Sequence, residues 1–404
     1  MLDGVIFDFD GVLVDTVDDL FNVYWEIIGD LGLKNSDQDT SKLNGLTIRQ
    51  ICNEIIRINN IAIDFDDLLS MYYKKLDRLY SYCEVIDSSV NLVKFLYDKK
   101  TTLSIASGCP EKYIHMVLNR IGVYKYFEEV VGSDSITNGK PDPEVFFRCM
   151  KRSGFKTAMV IDDSESGVLS AIRAGCCVTK FDENIKSKKN INDFIIHQIN
   201  NNISYLGEIK NLGIISSVTS YDLSSEEEEI WKNLEQDGSY NAPLQFVDFS
   251  LTESIESLVT KERDYRYFRV INESCIAVAV TGVVSDNNKI LLGKRSKNTY
   301  QYSEEYDFVP AGSLETNDYI QQLNIEWREE TGLSHQVLWD SSAILMISHK
   351  DNVLDVIVSG VVSGLNLENC SSEEFDEFIW FDDEHPCSMS PLGEAVVSLK
   401  VINS

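Results

Sequence analysis

Residues 4–16 read GVIFDFDGVLVDT. The run Val5–Phe7 is apolar, β-branched and aromatic, the composition of a strand buried on both faces of a parallel sheet. It ends on Asp8 and Asp10, with Gly11 directly after. Ligands of parallel α/β sheets sit outside the carboxyl ends of the strands, so this stretch sets two carboxylates where a substrate can reach them. Further strands of the same sheet are then expected to end in polar groups. TTLSIASGCP (101–110) ends an apolar run at Ser107 and Gly108, and TAMVIDDSESG (157–167) ends one at Asp162 and Asp163. Between them, NGKPDPEVF (138–146) places Lys140 in a loop fixed by Pro141 and Pro143, ahead of a helix-like stretch.

Two acid pairs, a hydroxyl and a lysine are the groups needed for phosphoryl transfer through a carboxylate. One aspartate attacks phosphorus and a second moves the proton. The hydroxyl and the ammonium hold phosphate oxygens, and the remaining acids bind magnesium. Taken singly, an acid pair is a solvated turn or helix cap, and Ser-Gly is an ordinary turn; the order of all four pieces carries the reading. This order resembles the haloacid dehalogenase superfamily over about residues 1–182. The resemblance implies that Asp8 is the nucleophile, Asp10 the general acid/base, Ser107 a phosphate ligand beside Gly108, and Lys140 the charge balancer. It also implies Mg2+ held by Asp8, the Asp10 backbone, Asp162 and Asp163. DDSESG stands where this branch often has glutamate then aspartate, which keeps both charges.

Between the first motif and the TTLSIASG strand, about residues 16–90 lack proline and carry apolar residues at helical spacing, as in LFNVYWEIIGDLGL and DDLLSMYYKKLDRLY. An insertion there resembles the helical cap of the β-phosphoglucomutase-like branch, which closes over small substrates and excludes water. LNGLTIRQI resembles that family's cap loop, making Arg49 the candidate contact for a distal anionic group, against a plain helix-surface arginine. The stretch offers no histidine or lysine of the kind that mutases use. Phosphatase chemistry is therefore expected, with a sugar-phosphate mutase as the alternative.

The second half turns on NIEWREETGL (324–333), which crowds Glu326, Glu329 and Glu330 on a helix-like run. Like charges three and four apart on a helix repel, so these carboxylates either face water or hold a hard cation. Around them lie strand-like runs in CIAVAVTGVVSDNNKILLGKRS, joined by a plausible hairpin turn at SDNN, and further strands in VLDVIVSGVV and EFIWFD. These features resemble the Nudix hydrolase family over about residues 270–390. The resemblance implies a mixed-sheet α/β/α sandwich, a Mg2+ site at Glu326, Glu329 and Glu330, and a diphosphate held by Arg295, with Lys294 and the Gly312–Leu314 loop nearby. Ile325 stands where that signature has arginine, Asp318 is offered for its first glutamate, and the glycine loop is one residue out of register. A Nudix-like module that binds or senses a nucleotide without cleaving it is the alternative.

The expected organisation is therefore an α/β chain in three parts. Residues 1–210 form a hydrolase unit with its cap, residues 211–270 a linker and extension, and residues 271–404 the second unit. Glu226–Glu229 read as a solvated acidic face. A length of 404 residues suits two or three domains. A formal charge of -29 repels nucleic-acid backbones. Nine cysteines without CxxC spacing suit reduced thiols. With no signal-like start and no long apolar run, a cytoplasmic protein without membrane contact is expected. The combined reading is a bifunctional hydrolase, taking a small phosphate monoester in one half and a nucleoside diphosphate derivative in the other. The sequence specifies no oligomeric state.

Overall fold

The computed structural model describes residues 2–33, 46–217, 243–264, 276–297, 302–382 and 387–400. The chain divides into two compact units, residues 1–200 and 201–404.

In the first unit, five parallel strands lie in the order Phe127–Val131, Thr102–Ala106, Gly4–Phe7, Ala158–Asp162 and Cys177–Lys180. The strand of the opening motif is central. Phe7 pairs with Ile105 on one side and Ile161 on the other, and Val5, Ile6 and Phe7 are all at 0% exposure. Because the strands are parallel and in register, Asp8, Ser107 and Asp162 emerge at the same edge. Gly4 sits where a Cβ would come 2.3 Å from the Phe155 ring, so no larger residue fits at the start of this strand.

The cap opens and closes on a two-stranded ribbon in which Val14–Asp15 pairs antiparallel with Glu84–Val85. It carries the helices Val17–Asp30, Ile48–Asn59 and Phe65–Tyr82. Thr47 and Gln50 form a reciprocal capping box at the start of the second of these. The ribbon ends the insertion slightly before the expected limit near residue 90, and the helix Asp87–Asp98 already packs on the central sheet.

The second unit holds a mixed sheet. Its main path runs Ile203–Lys210, Leu338–Ser348, Val353–Val361, Ile276–Asp286, Pro243–Val247, Ser257–Asp264 and Gly213–Ser217. A boundary is expected near 210; the compact units divide at 200, and Ile203–Lys210 pairs antiparallel with Leu338–Ser348. Three strands of the main path also come from the stretch read as linker. The expected hairpin at Asp286–Lys289 is present, with Asn287 and Asn288 both at positive φ as a primed turn requires. The helix Tyr319–Thr331 buries Leu323 and Trp327 against the sheet and stops at Gly332 in the left-handed conformation. Glu226–Glu229 and the first residues of the proposed cap loop lie outside the described residues.

Candidate active site

At the carboxyl edge of the first sheet, Lys140 reaches two strands at once. Its Nζ donates to Asp8 Oδ1 at 2.8 Å and to Asp162 Oδ2 at 2.6 Å. All three side chains are under a tenth exposed. Burial works against the ammonium, yet the Asp162 and Asp8 carboxylates outweigh it and hold Lys140 above the ordinary lysine value. Burial pushes Asp8 up to about 7, against the pull of Lys140 and with the charge of Asp162 adding to it. Burial, and then the charges of Asp162 and Asp8, also raise Asp163.

Carboxylate oxygens of Asp8, Asp162 and Asp163 lie within 4.8 Å of one another. One ammonium cannot balance three crowded carboxylates, two of them buried, so these hard oxygen donors fit a divalent cation such as Mg2+. The local backbone is built for that crowding. Gly11 has φ +75°, and a Cβ there would fall 2.1 Å from Asp163 Oδ2. At Gly167 a Cβ would fall 2.0 Å from Asp162 Oδ1. Ser164 fixes Asp162 by donating to Oδ1 from both its N–H (3.0 Å) and its hydroxyl (2.8 Å).

Asp10 points toward the cap. Its Oδ1 accepts from Thr16 Oγ1 at 2.6 Å and from the Tyr80 hydroxyl at 2.9 Å. Burial raises the Asp10 carboxyl, while the two donors pull it back. Ser107 is 1% exposed, and its Oγ accepts the Cys109 N–H at 3.1 Å, leaving its own O–H to donate. Asp8, Asp10, Ser107, Gly108, Lys140 and Asp163 all border one cavity of about 280 Å³. The family model for haloacid dehalogenase-like hydrolases matches residues 5–181, the stretch that supplies all of these groups. Residues 5–181 are a haloacid dehalogenase-like domain.

Over 177 residues the chain is 28% identical to an uncharacterized protein of Haemophilus influenzae, covering 43% of this chain and 88% of that one. Over 179 residues it is 27% identical to the phosphorylated carbohydrates phosphatase of Thermotoga maritima, covering 43% and 82%. The fructose-1-phosphate phosphatase of Escherichia coli is 28% identical over 179 residues, covering 43% and 92%.

Arg49 stands apart from the other residues expected in this dehalogenase-like site. It is exposed, with its guanidinium 5.6 Å from the Phe65 ring centroid, and does not border the cavity. Conversely, Thr16 and Tyr80 serve the site without having been singled out by sequence. Thr16 closes the opening motif, whereas Tyr80 lies 70 positions from Asp10 and reaches it only through the folding of the cap.

In the second unit the three glutamates divide. Glu330 is buried and accepts the Ala311 N–H at 2.9 Å; Glu326 accepts from Gln322 Nε2 at 2.9 Å; Glu329 is exposed. Burial pushes Glu326 up to about 7 and raises Glu330 well above the carboxylate range. A Cβ on Gly312 would sit 2.2 Å from Glu326, so the glycine loop and this helix pack directly together. Among the described residues, only Asp8, Asp162 and Asp163 bring three ligand groups within 4.8 Å of one another; Glu326, Glu329 and Glu330 do not converge in this way. Arg295 is engaged already, with Nε 3.3 Å from Asp307 Oδ2 and its guanidinium 5.4 Å from the Phe375 ring centroid. Asp318 is the N-cap of Tyr319–Thr331, accepting from the Gln321 N–H, so its carboxylate serves the helix.

Proposed function

We propose that the first unit is a Mg2+-dependent phosphatase that hydrolyses small organic phosphate monoesters through an aspartyl-phosphate on Asp8. The observation that carries this reading is the Asp8 carboxylate, held at the strand end by Lys140 beside Asp162 and Asp163. Two relatives named as phosphatases of phosphorylated carbohydrates and of fructose 1-phosphate support the substrate class.

In the proposed reaction, Ser107 and Lys140 hold phosphate oxygens while an Asp8 oxygen attacks phosphorus. The P–O bond to the alcohol breaks, and protonated Asp10 gives its proton to the departing oxygen. Thr16 and Tyr80 both donate to Oδ1 of Asp10, which leaves Oδ2 to carry that proton. Ionised Asp10 then takes a proton from a water molecule, whose oxygen attacks the aspartyl-phosphate and frees Asp8 and inorganic phosphate. Mg2+, held by Asp8, Asp162, Asp163 and the Asp10 backbone, would neutralise the charge of the transferred phosphoryl group. Phosphatase chemistry is preferred to a mutase because Lys75, on a cap helix, is paired with Glu26 and Asp30 at 2.8 and 2.9 Å and does not border the cavity. Asp8→Asn should abolish phosphate release from monoesters. Isomerised product with retained phosphate would support the mutase instead.

For the second unit we infer a Nudix-like module that binds a nucleoside diphosphate derivative. The packing of Gly312 on Glu326 supports the likeness. The exposed Glu329 and the engaged Arg295 favour binding over cleavage. Calorimetry with nucleotide sugars and Mg2+ should give heat without release of a nucleoside monophosphate. Release that is lost in the Glu329→Gln/Glu330→Gln double variant would establish a pyrophosphohydrolase, and with it a bifunctional enzyme.

A further inference from the structure

The loop that carries Lys140 is braced from two sources. Within the core, the Thr137 and Asn138 N–H groups donate to Glu144 Oε2, each at 2.9 Å. Ser170 Oγ donates to the Asp142 carbonyl at 2.7 Å, and Arg173 Nη1 to the Pro141 carbonyl at 3.1 Å. The brace on the residue just before the lysine comes instead from the cap. Gly139 is buried, and its N–H donates to Gln50 Oε1 at 3.1 Å, across 89 positions of sequence.

Gln50 lies in the first turn of the cap helix Ile48–Asn59. There its Oε1 also accepts from the Thr47 N–H at 2.9 Å and from the Thr47 hydroxyl at 3.0 Å. Those two donors fix the oxygen in place, so it meets Gly139 with little further ordering. Ile48 and Ile51, from the start of the same helix, border the cavity over Asp8. One stretch of helix therefore lines the substrate space and holds the amide beside Lys140. Tyr80 ties the cap to Asp10, and Gln50 ties it to the lysine loop.

We propose that Gln50 is a positioning residue through which seating of the cap sets Lys140 for catalysis. This rests on the phosphatase reading of the Asp8 site. With the cap lifted, the Gly139 N–H turns to water and the brace is lost. With the cap seated and no acceptor at position 50, the same N–H is buried unpaired, which is costly, so the cap or the loop gives way. In both cases Lys140 is held less firmly between Asp8 and Asp162, and the phosphate oxygens it would hold are worse placed. A substrate that draws the cap down thereby completes the site on the core. A glutamine that served its own helix alone would make no demand on Gly139.

The test uses Gln50→Leu, which removes the acceptor, Gln50→Glu, which keeps it, and Thr47→Ala, which weakens the helix cap and leaves the Gly139 bond. On p-nitrophenyl phosphate with Mg2+, Gln50→Leu should lower kcat/KM about tenfold, whereas Gln50→Glu and Thr47→Ala should stay within about threefold of the wild type. Hydrogen exchange read by mass spectrometry should quicken in the peptide holding Gly139 and Lys140 for Gln50→Leu, but not for Thr47→Ala. An unchanged kcat/KM in Gln50→Leu, an equal loss in Thr47→Ala, no recovery in Gln50→Glu, or a loss without faster exchange at the Lys140 loop would overturn the assignment. The exchange data also separate the two readings. Faster exchange at that loop in Gln50→Leu, when the wild type releases no phosphate, would refute the phosphatase and sustain the link between cap and loop. Unchanged exchange there would refute the link whatever the turnover.

Discussion

Gly11 shows how closely the site depends on single atoms. Its φ of +75° is left-handed, and a methyl group there would collide with the Asp163 carboxylate at 2.1 Å. Gly11→Ala should therefore cost about 1–2 kcal/mol in backbone strain and push Asp163 out of the acid cluster. The measurement is the Mg2+ concentration for half-maximal activity, which should rise; an unchanged value would mean that Asp163 is not a ligand. Tyr80→Phe removes one donor to Asp10 and should lower kcat roughly two- to tenfold, with the Mg2+ requirement unaltered. The acids, Ser107 and Lys140 were legible from the sequence because each follows an apolar strand-like run or a proline-fixed loop. Tyr80 was not, because its helix carries several tyrosines and only the tertiary fold decides which one meets Asp10. Arg49 lies outside the cavity lining: helical spacing gives a face, but not what the face meets.

The cap helix Phe65–Tyr82 aims Tyr80, and the core helix Glu111–Arg120 holds its end. Arg120 donates to Ser81 O and to Cys83 O, each at 2.7 Å, satisfying carbonyls at a helix C-terminus. The Tyr80 ring stacks on Tyr113 at a centroid distance of 4.8 Å. Arg120→Ala should lower kcat by letting Tyr80 drift, and its effect should shrink in a Tyr80→Phe background, because the two act through one contact. Fully additive losses in the double variant would refute this linkage. Periodicity read the cap helices and the helix Tyr319–Thr331 correctly as elements. It could not show that Trp327 is the buried anchor of the latter, with its Nε1 on His335 O at 3.0 Å, nor that Glu326 and Glu330 turn toward the strand Ala311–Ser313 while Glu329 faces outward. Charge crowding posed that question, and packing decides it.

At the scale of the whole chain, the division at residue 200 predicts that residues 1–200 alone retain Asp8-dependent hydrolysis. The sequence reading draws a boundary near residue 210 because Ile203–Lys210 follows a helix, and its antiparallel pairing with Leu338–Ser348 joins residues too far apart in the chain for any local pattern to encode. In the second unit, burial lowers His349 to about 4, with its ring 2.6 Å from Ser204 Oγ. The unfolded chain binds a proton near pH 6.5 that the folded one refuses until about pH 4. Stability should thus be full above pH 6.5 and fall by roughly 3 kcal/mol as pH drops through that window. His349→Gln should flatten that part of the urea-unfolding profile, and an unchanged slope would rule the histidine out. The central claim concerns Asp8. Acid-quenching the enzyme during turnover of a phosphate monoester with Mg2+, then sequencing its peptides by mass spectrometry, should find a phosphoryl group on Asp8 and none in Asp8→Asn. Turnover with no adduct, or phosphate release that survives Asp8→Asn, would contradict it.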